Sequence, residues 1–346
     1  MVSMQEIARR AGVSAATVSY VLNDRVRRNS VSEATRQRVL AIAEELGYRR
    51  NTLAQAVKTG KNPMLGLLVA DRSARHAEFM ARLTYGVLDE AEEQDHTIKI
   101  LRLHEDTQAE RTIERCAELR LSGLIALEVG DEMLHRLRHH RLTENIPLVI
   151  LDRSSYGESD VLRVRSDDAA GCRAAVAHLH ELGHRRIAFL GGERAFAHVC
   201  QREAGYRSGL ADYGLKVPRG FVRYGDWSIE GAHRALDEWL AFAAPPTAVM
   251  CASDWVAWAV LGHAQQRGVA VPGHLSVVGF ADLSFTEFTT PPLTTVAQPF
   301  EIMGRAAARL LLSHIHDESI ALDICESVST HLIVRESTAP PASLTT

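Results

Sequence analysis

Apolar residues recur at helical spacing through the first fifty positions, then give way to short continuous runs, so the chain divides into two kinds of structure. In MQEIARRAGVSAATVSYVLND, Ile7, Ala8 and Ala11 make one apolar face of a helix predicted over Met4–Ala11. Ser3 and Glu6 have capping-box spacing, which lets hydroxyl and carboxylate satisfy the first free N–H groups. Gly12 permits a turn that a side chain would obstruct. Ser14 then caps a second helix, Ser14–Leu22, that points Val18, Val21 and Leu22 inward. Ala15, Ala16, Thr17, Ser19 and Tyr20 remain on its outer face. A third helix starts at Ser32, buries Val39, Ile42, Ala43 and Leu46, and stops at Gly47. Three short helices on one core, with a slim one presented outward, predict a DNA-binding headpiece that enters the major groove.

From Met64 onward the period changes. Strands are expected at Leu65–Ala70, Ile98–Leu103, Gly123–Leu127, Pro147–Leu151, Arg186–Leu190, Ala248–Cys251 and Ser276–Gly279. Helix-length segments lie between them: Phe79–Gln94, Ala109–Leu119, Ala169–Leu182, Cys200–Tyr213, Ile229–Phe242 and Trp255–Arg267. This alternation implies parallel sheets covered on both faces, and the segment is too long for one such sheet, so two α/β lobes are expected.

Charge sharpens that division. Residues 1–62 hold 11 Lys+Arg against 5 Asp+Glu, whereas the rest holds 28 against 38. A basic headpiece on an acidic body suits a protein that binds a polyanion at one end and repels it elsewhere. The cysteines Cys116, Cys172, Cys200, Cys251 and Cys325 are scattered and form no CxxC pair, which argues for a reducing compartment. With no signal segment and no apolar run of about 20 residues, a cytoplasmic location away from the membrane is expected. It also weakens the rival reading of the body, a solute-binding protein without a DNA role.

Two stretches carry a specific likeness: AGVSAATVSYVLN and VSEATRQRVLAIAEELGYRRN. They resemble the headpiece of the LacI/GalR (lactose-repressor) family of transcription regulators. The similarity continues through LGHRRIAFLGG, SVVGFADLSFTEFTTPPLTTVAQPFEIMGRAAARLLL and LIVRES. The resemblance implies an all-α helix-turn-helix headpiece over 1–50 and a hinge helix over 51–62. A periplasmic-binding-protein-like core of two doubly wound lobes follows over 63–340, with a tail over 341–346. The lobes are expected at 63–163 with 293–322, and at 164–292 with 323–340, the crossings lying near Leu162–Ser166, Pro291–Thr294 and Ala321–Glu326. The implied function is repression from a pseudo-palindromic operator bound by a homodimer, under control of a small-molecule effector.

In this family the residues that vary with operator fall on Ala15, Ala16 and Tyr20 of this chain. Two alanines offer only apolar contact with thymine methyls or close backbone approach, and Tyr20 a single hydrogen bond. Ser14, Thr17 and Asn23 are expected on phosphates, which position without reading sequence. The resemblance extends the DNA contact to Ser3, Met4, Ser19, Thr35, Tyr48, Asn51 and Gln55. It also places Val57 where relatives insert a leucine wedge into the minor groove, and Arg50 where they carry a proline.

Open parallel sheets bind ligands beyond the carboxyl ends of their strands. Asp71, Asp152, Asp254 and Asp282 stand at such ends, where carboxylates accept hydrogen bonds from hydroxyls. An acid there also serves as the N-cap of the next helix, a reading that Asp254 invites. Arg202 and Gln298 add donors, and Trp227 offers a flat face for a sugar ring. The resemblance assigns Asp71, Asp152, Arg202, Trp227, Ser253 and Gln298 to the effector site of sugar-responsive members. DRSARHAEF replaces a common DxxxPFF, which removes aromatic stacking and adds Arg72, Arg75 and His76, cations that equally suit a phosphate or carboxylate. A mono- or disaccharide is the expected effector; a purine or a sugar phosphate is the alternative.

Catalytic patterns are missing: no GxSxG, Walker loop or HExxH occurs. His135 and His139 are spaced for a metal, but Arg136, Arg138 and His140 crowd them into an exposed basic face. Neither enzymatic activity, nor a cofactor, nor a metal is expected.

Overall fold

The structure is a computed structural model that describes residues 3–22, 31–48, 62–70, 77–103, 109–151, 161–194, 196–317 and 321–342. It divides into two compact units, Met1–Asn62 and Pro63–Thr346.

In the first unit α1 (Met4–Ala11), α2 (Ala15–Leu22) and α3 (Glu33–Glu45) close on Ile7, Val18 and Val39, all fully buried. Three hydroxyls start the helices. Ser3 Oγ accepts from Glu6 N at 3.3 Å, Ser14 Oγ from Thr17 N at 3.1 Å and Ser32 Oγ from Thr35 N at 3.3 Å. The reciprocal half of the expected capping box is replaced. The Glu6 carboxylate accepts from Arg9 at 2.6 Å, which holds it below the usual carboxylate range. An ion pair within one helix turn competes well against an exposed backbone N–H. Gly12 takes the left-handed conformation at φ 66°, and Arg10 reaches Glu45 of α3 at 2.9 Å.

The second unit holds two six-stranded sheets. The first contains β1 (Met64–Ala70), β2 (Thr97–Leu103), β3 (Gly123–Leu127), β4 (Leu148–Leu151), β5 (Leu162–Ser166) and β11 (Cys325–Val328) in the order β11-β5-β4-β3-β1-β2, all parallel. Helices α4 (Ala77–Glu93) and α11 (Phe300–His316) bury Leu83, Val87, Met303 and Leu311 on one face. On the other, α5 (Ala109–Glu118) and α6 (Asp131–His139) bury Ile113, Leu134 and Leu137.

The second sheet contains β6 (Ile187–Gly191), β7 (Val222–Tyr224), β8 (Ala248–Cys251), β9 (Ser276–Ala281), β10 (Thr294–Ala297) and β12 (His331–Ile333). Its order is β12-β10-β9-β8-β6-β7, with β12 antiparallel at the edge. Helices α7 (Asp168–Glu181) and α8 (Ala197–Asp212) cover one face, α9 (Ile229–Leu240) and α10 (Asp254–Gln266) the other.

The lobe boundaries expected at 163/164, 292/293 and 322/323 all move later. β5 runs to Ser166 inside the first sheet because it pairs with β4 and β11; β10 belongs to the second sheet through its pairing with β9; Cys325–Val328 returns to the first. Strand pairing, which local pattern does not encode, decides each position.

Helices α4 and α11 touch backbone to backbone. A Cβ on Gly86 would collide with the Glu301 carbonyl, and one on Gly304 with the Leu83 carbonyl. Arg82–Glu301 at 2.8 Å, Arg305–Asp89 at 2.9 Å and Arg309–Glu90 at 3.1 Å flank the crossing.

Candidate functional site

The outer face of α2 has the exposure that groove entry requires. Tyr20 is 53% exposed, whereas Val18 and Val21 are buried. Ala15, Ala16 and Thr17 lie on its first turn, and Ser14 Oγ is 2.9 Å from Thr17 Oγ1, so both hydroxyls belong to the cap. Thr35 Oγ1 is likewise 2.9 Å from Ser32 Oγ. Met4 and Tyr48 pack in part against the headpiece core. Asn23, Asn51, Gln55 and Val57, with the whole hinge, lie outside the described residues.

In the second unit the carboxyl edge of the second sheet gathers Trp227, Ser253, Asp282 and Gln298. Asp71, Arg75 and Asp152 of the first lobe lie outside the described residues. Trp227 adopts φ 60°, unusual for a bulky residue, and its indole covers Gly192 so closely that a Cβ there would overlap the ring. His198 stacks beside it with centroids 5.7 Å apart, and Phe196 lies 5.6 Å from His198.

Arg202 is 1% exposed. Its Nε donates to Asp168 Oδ2 at 2.7 Å, one Nη to the Ala252 carbonyl at 2.6 Å and the other to Gln298 Oε1 at 3.3 Å. The guanidinium also lies over Phe280 at 3.9 Å. Gln298 in turn donates to Ser166 Oγ at 2.7 Å, and Ser166 to Asp168 Oδ1 at 2.6 Å. The network therefore joins the lobe crossing after β5 to the one after β10 and anchors both to α8. Asp167, one residue before Asp168, caps α7 through Ala170 N at 3.0 Å.

Asp254, expected either at the effector or as a cap, is fully enclosed and does neither. The cap is Ser253, whose Oγ accepts from Trp255 N at 3.2 Å. Asp254 accepts from Thr295 Oγ1 at 2.5 Å and from Leu283 N at 2.9 Å, which pins the turn after β9. Burial pushes its carboxyl up to about 6. Asp282, at φ 57°, accepts from Arg335 Nη2 on Oδ1 at 2.8 Å, so that carboxylate oxygen is already engaged.

The lobes also meet through the turn that follows β9. Ser284 N and Oγ both donate to Glu78 at 2.8 and 3.0 Å, and Arg82 reaches the Asp282 carbonyl at 3.3 Å.

Sequence reasoning missed Ser166, Asp168, His198 and Glu128. Glu128 follows β3, adopts φ 57° and is 6% exposed, and the strand-end rule that picked the aspartates would have found it. Asp168 lay hidden in DDAAG, where its neighbour Asp167 is the visible cap. Nothing in sequence marks His198.

Together these parts define a class: a helix-turn-helix reader on one unit and a two-lobed, hinged ligand receptor on the other. Residues 3–51 match the bacterial regulatory proteins of the lacI family, and residues 176–338 a periplasmic binding protein-like domain. The chain is 30% identical to the HTH-type transcriptional repressor CytR of Escherichia coli K12 over 97% of its own length and 96% of that protein. It is 30% identical to the probable HTH-type transcriptional repressor ExuR of Bacillus subtilis over 97% and 98%. Among solved structures it resembles a transcriptional regulator CelR–cellobiose complex at 31% identity and TM-score 0.72, covering 97% of this chain and 100% of that one. The Lac repressor dimer bound to operator and the anti-inducer ONPF aligns at 25% identity and TM-score 0.75 over 98% and 99%. The chain belongs to the lacI family. It is a transcriptional repressor with a helix-turn-helix DNA-binding domain and an effector-binding core, not an enzyme. No described helix is long and apolar enough to cross a membrane.

Proposed function

We propose that this repressor binds a pseudo-palindromic operator as a homodimer in the cytoplasm and releases it when a mono- or disaccharide enters the cleft. The observation that carries the sugar assignment is Trp227, held at a left-handed backbone position at the carboxyl edge of the second lobe. A fixed indole is what the C–H face of a sugar requires. The cellobiose complex of a relative with full-length similarity supports it. In this reading Gln298 and Arg202 are further polar partners of the sugar, with Asp71 and Asp152 as its hydroxyl acceptors. Pairing of two copies is supported by the large aromatic side chains left uncovered, Trp258 at 44% and Phe288 at 81% exposure.

Trp227→Ala is expected to abolish the rise in melting temperature that the cognate sugar gives the wild type, while operator affinity stays within about twofold. At a hundredfold excess over Kd that rise corresponds to about 2.7 kcal/mol, so a thermal-shift screen of sugars, sugar phosphates and nucleobases reads it directly. A mutant that still responds would remove Trp227 from the site. The Phe196–His198–Trp227 aromatic run favours a nucleobase as the second reading, and a shift by nucleobases alone would establish it.

On the DNA side, Tyr20→Ala should relax base preference at one position per half-site, at about 1–3 kcal/mol or less since a single hydrogen bond is lost. Binding-site selection with the full chain checks this; a selection without two-fold symmetry would discard the dimeric operator.

A further inference from the structure

The turn that follows β9 belongs to the second lobe by chain order and is gripped by both. Ala281, the last residue of β9, and Leu283 are buried in the core of the first lobe, in one cluster with Phe79, Leu83 and Phe300. Trp255 and Phe285, their ring centroids 4.6 Å apart, pack against the same cluster.

The polar groups of the turn are divided between the lobes. Arg82 of α4 donates to the Asp282 carbonyl at 3.3 Å, whereas the Leu283 N–H goes back to Asp254 of the second lobe at 2.9 Å. Ser284 then donates twice to Glu78, in the first turn of α4: its N–H to Oε1 at 2.8 Å and its hydroxyl to Oε2 at 3.0 Å. Arg335 of the second lobe holds the Asp282 side chain at 2.8 Å.

The backbone at this point is strained. Ala281 adopts φ 130° and Asp282 φ 57°, values that a side chain disfavours. Such conformations persist only where their surroundings over-determine them, and here the surroundings come from two bodies. The clasp is also the part of the contact that water can replace, since Ser284 is exposed and Glu78 only half-buried.

We propose that the turn over 281–286 is a strained latch between the lobes, closed by the Glu78 carboxylate in the arrangement seen here. Opening it takes the Ser284 clasp and the long Arg82 bond apart. The bonds to Asp254 and Arg335 lie within the second lobe and travel with the turn. As a means of control the latch rests on the reading that an effector moves the lobes, but its presence can be measured with neither sugar nor operator, so the two fail separately.

The chain carries its own reporters. Cys200 on α8 of the second lobe and Cys325 on β11 of the first are exposed, and the other three thiols are buried. Nitroxides on these two, in full chain diluted with an unlabelled Cys200→Ser/Cys325→Ser chain, give the distance between lobes within one copy by double electron–electron resonance. The wild type should give one narrow distribution. Glu78→Ala should add a second distance and lower the latched share several-fold. Ser284→Ala keeps the N–H bond and should change less, in the same direction. Arg305→Gln, which breaks ion pairs to Asp89 and Glu93 inside the first lobe, should leave the distribution alone. Adding Ala281→Gly to Glu78→Ala removes the strained Cβ and should restore the wild-type distance. A wild-type distribution in Glu78→Ala, or the same second distance in Arg305→Gln, would overturn the latch. A double variant that stays divided would overturn the part assigned to strain.

Discussion

Asp168→Ala is expected to remove about 3–5 kcal/mol of stability, because it strands the guanidinium of Arg202 in an enclosure built around a carboxylate. Both side chains are 2% exposed or less, so neither water nor salt can substitute for the missing partner. Against the roughly 5–15 kcal/mol that holds a domain folded, the loss is large enough to shift a urea midpoint far outside error. Asp168→Asn with Arg202→Gln, which withdraws both charges, should recover a good part of it. A loss below about 1 kcal/mol in Asp168→Ala would show that the pair is not what holds the crossings together. The same reasoning bears on effector tests. Arg202→Ala strips the partner from Asp168 and so confounds ligand response with folding, which makes Trp227 the cleaner probe of the cleft.

Asp254→Asn should change how stability depends on pH. Desolvation by burial lifts the native carboxyl to about 6, well above the value near 3.9 of an unfolded chain. The folded state therefore binds the proton more tightly. The stabilisation is complete below the unfolded value and is lost as pH rises through about 6. Two pKa units amount to about 3 kcal/mol over that window, acting against the native state at neutral pH. With nothing to ionise, the amide in the variant would remove this downward trend. It would also keep one acceptor for Leu283 N and a donor that Thr295 Oγ1 can receive. Urea midpoints measured from pH 4 to 7 for both proteins should diverge as pH rises, the variant becoming the more stable. Parallel curves would mean that Asp254 stays ionised throughout.

Local chemistry made the headpiece legible: hydroxyl caps at Ser3, Ser14 and Ser32, a left-handed glycine at 12, and apolar spacing on three short helices. The parallel lobes were legible from the runs around Leu67, Ile125, Phe189 and Val277, all fully buried. The crossings were not, because the short strands Leu162–Ser166 and Thr294–Ala297 acquire their sheet only from partners far away in sequence. In the second lobe, strand-end position picked out Asp254 and Asp282 but not what each acid does there. Asp254 and Asp282 both stand at strand ends, yet Thr295 and Leu283 occupy both oxygens of Asp254 and Arg335 occupies Oδ1 of Asp282. Only three-dimensional packing tells a strand-end carboxylate that faces a ligand from one that fastens a turn.

The interleaving of the lobes also orders events on the ribosome. The headpiece needs nothing beyond its own first four dozen residues, so its contacts can form while most of the chain is unmade. The first lobe, although it begins at β1, lacks its edge strand and the helix locked to Gly86 until Cys325–Val328 and Phe300–His316 have emerged. Long-range closure of this kind is slow, and until then the apolar face of α4 stands uncovered. A nascent chain of this repressor thus presents a finished DNA reader well before it owns a receptor to govern it.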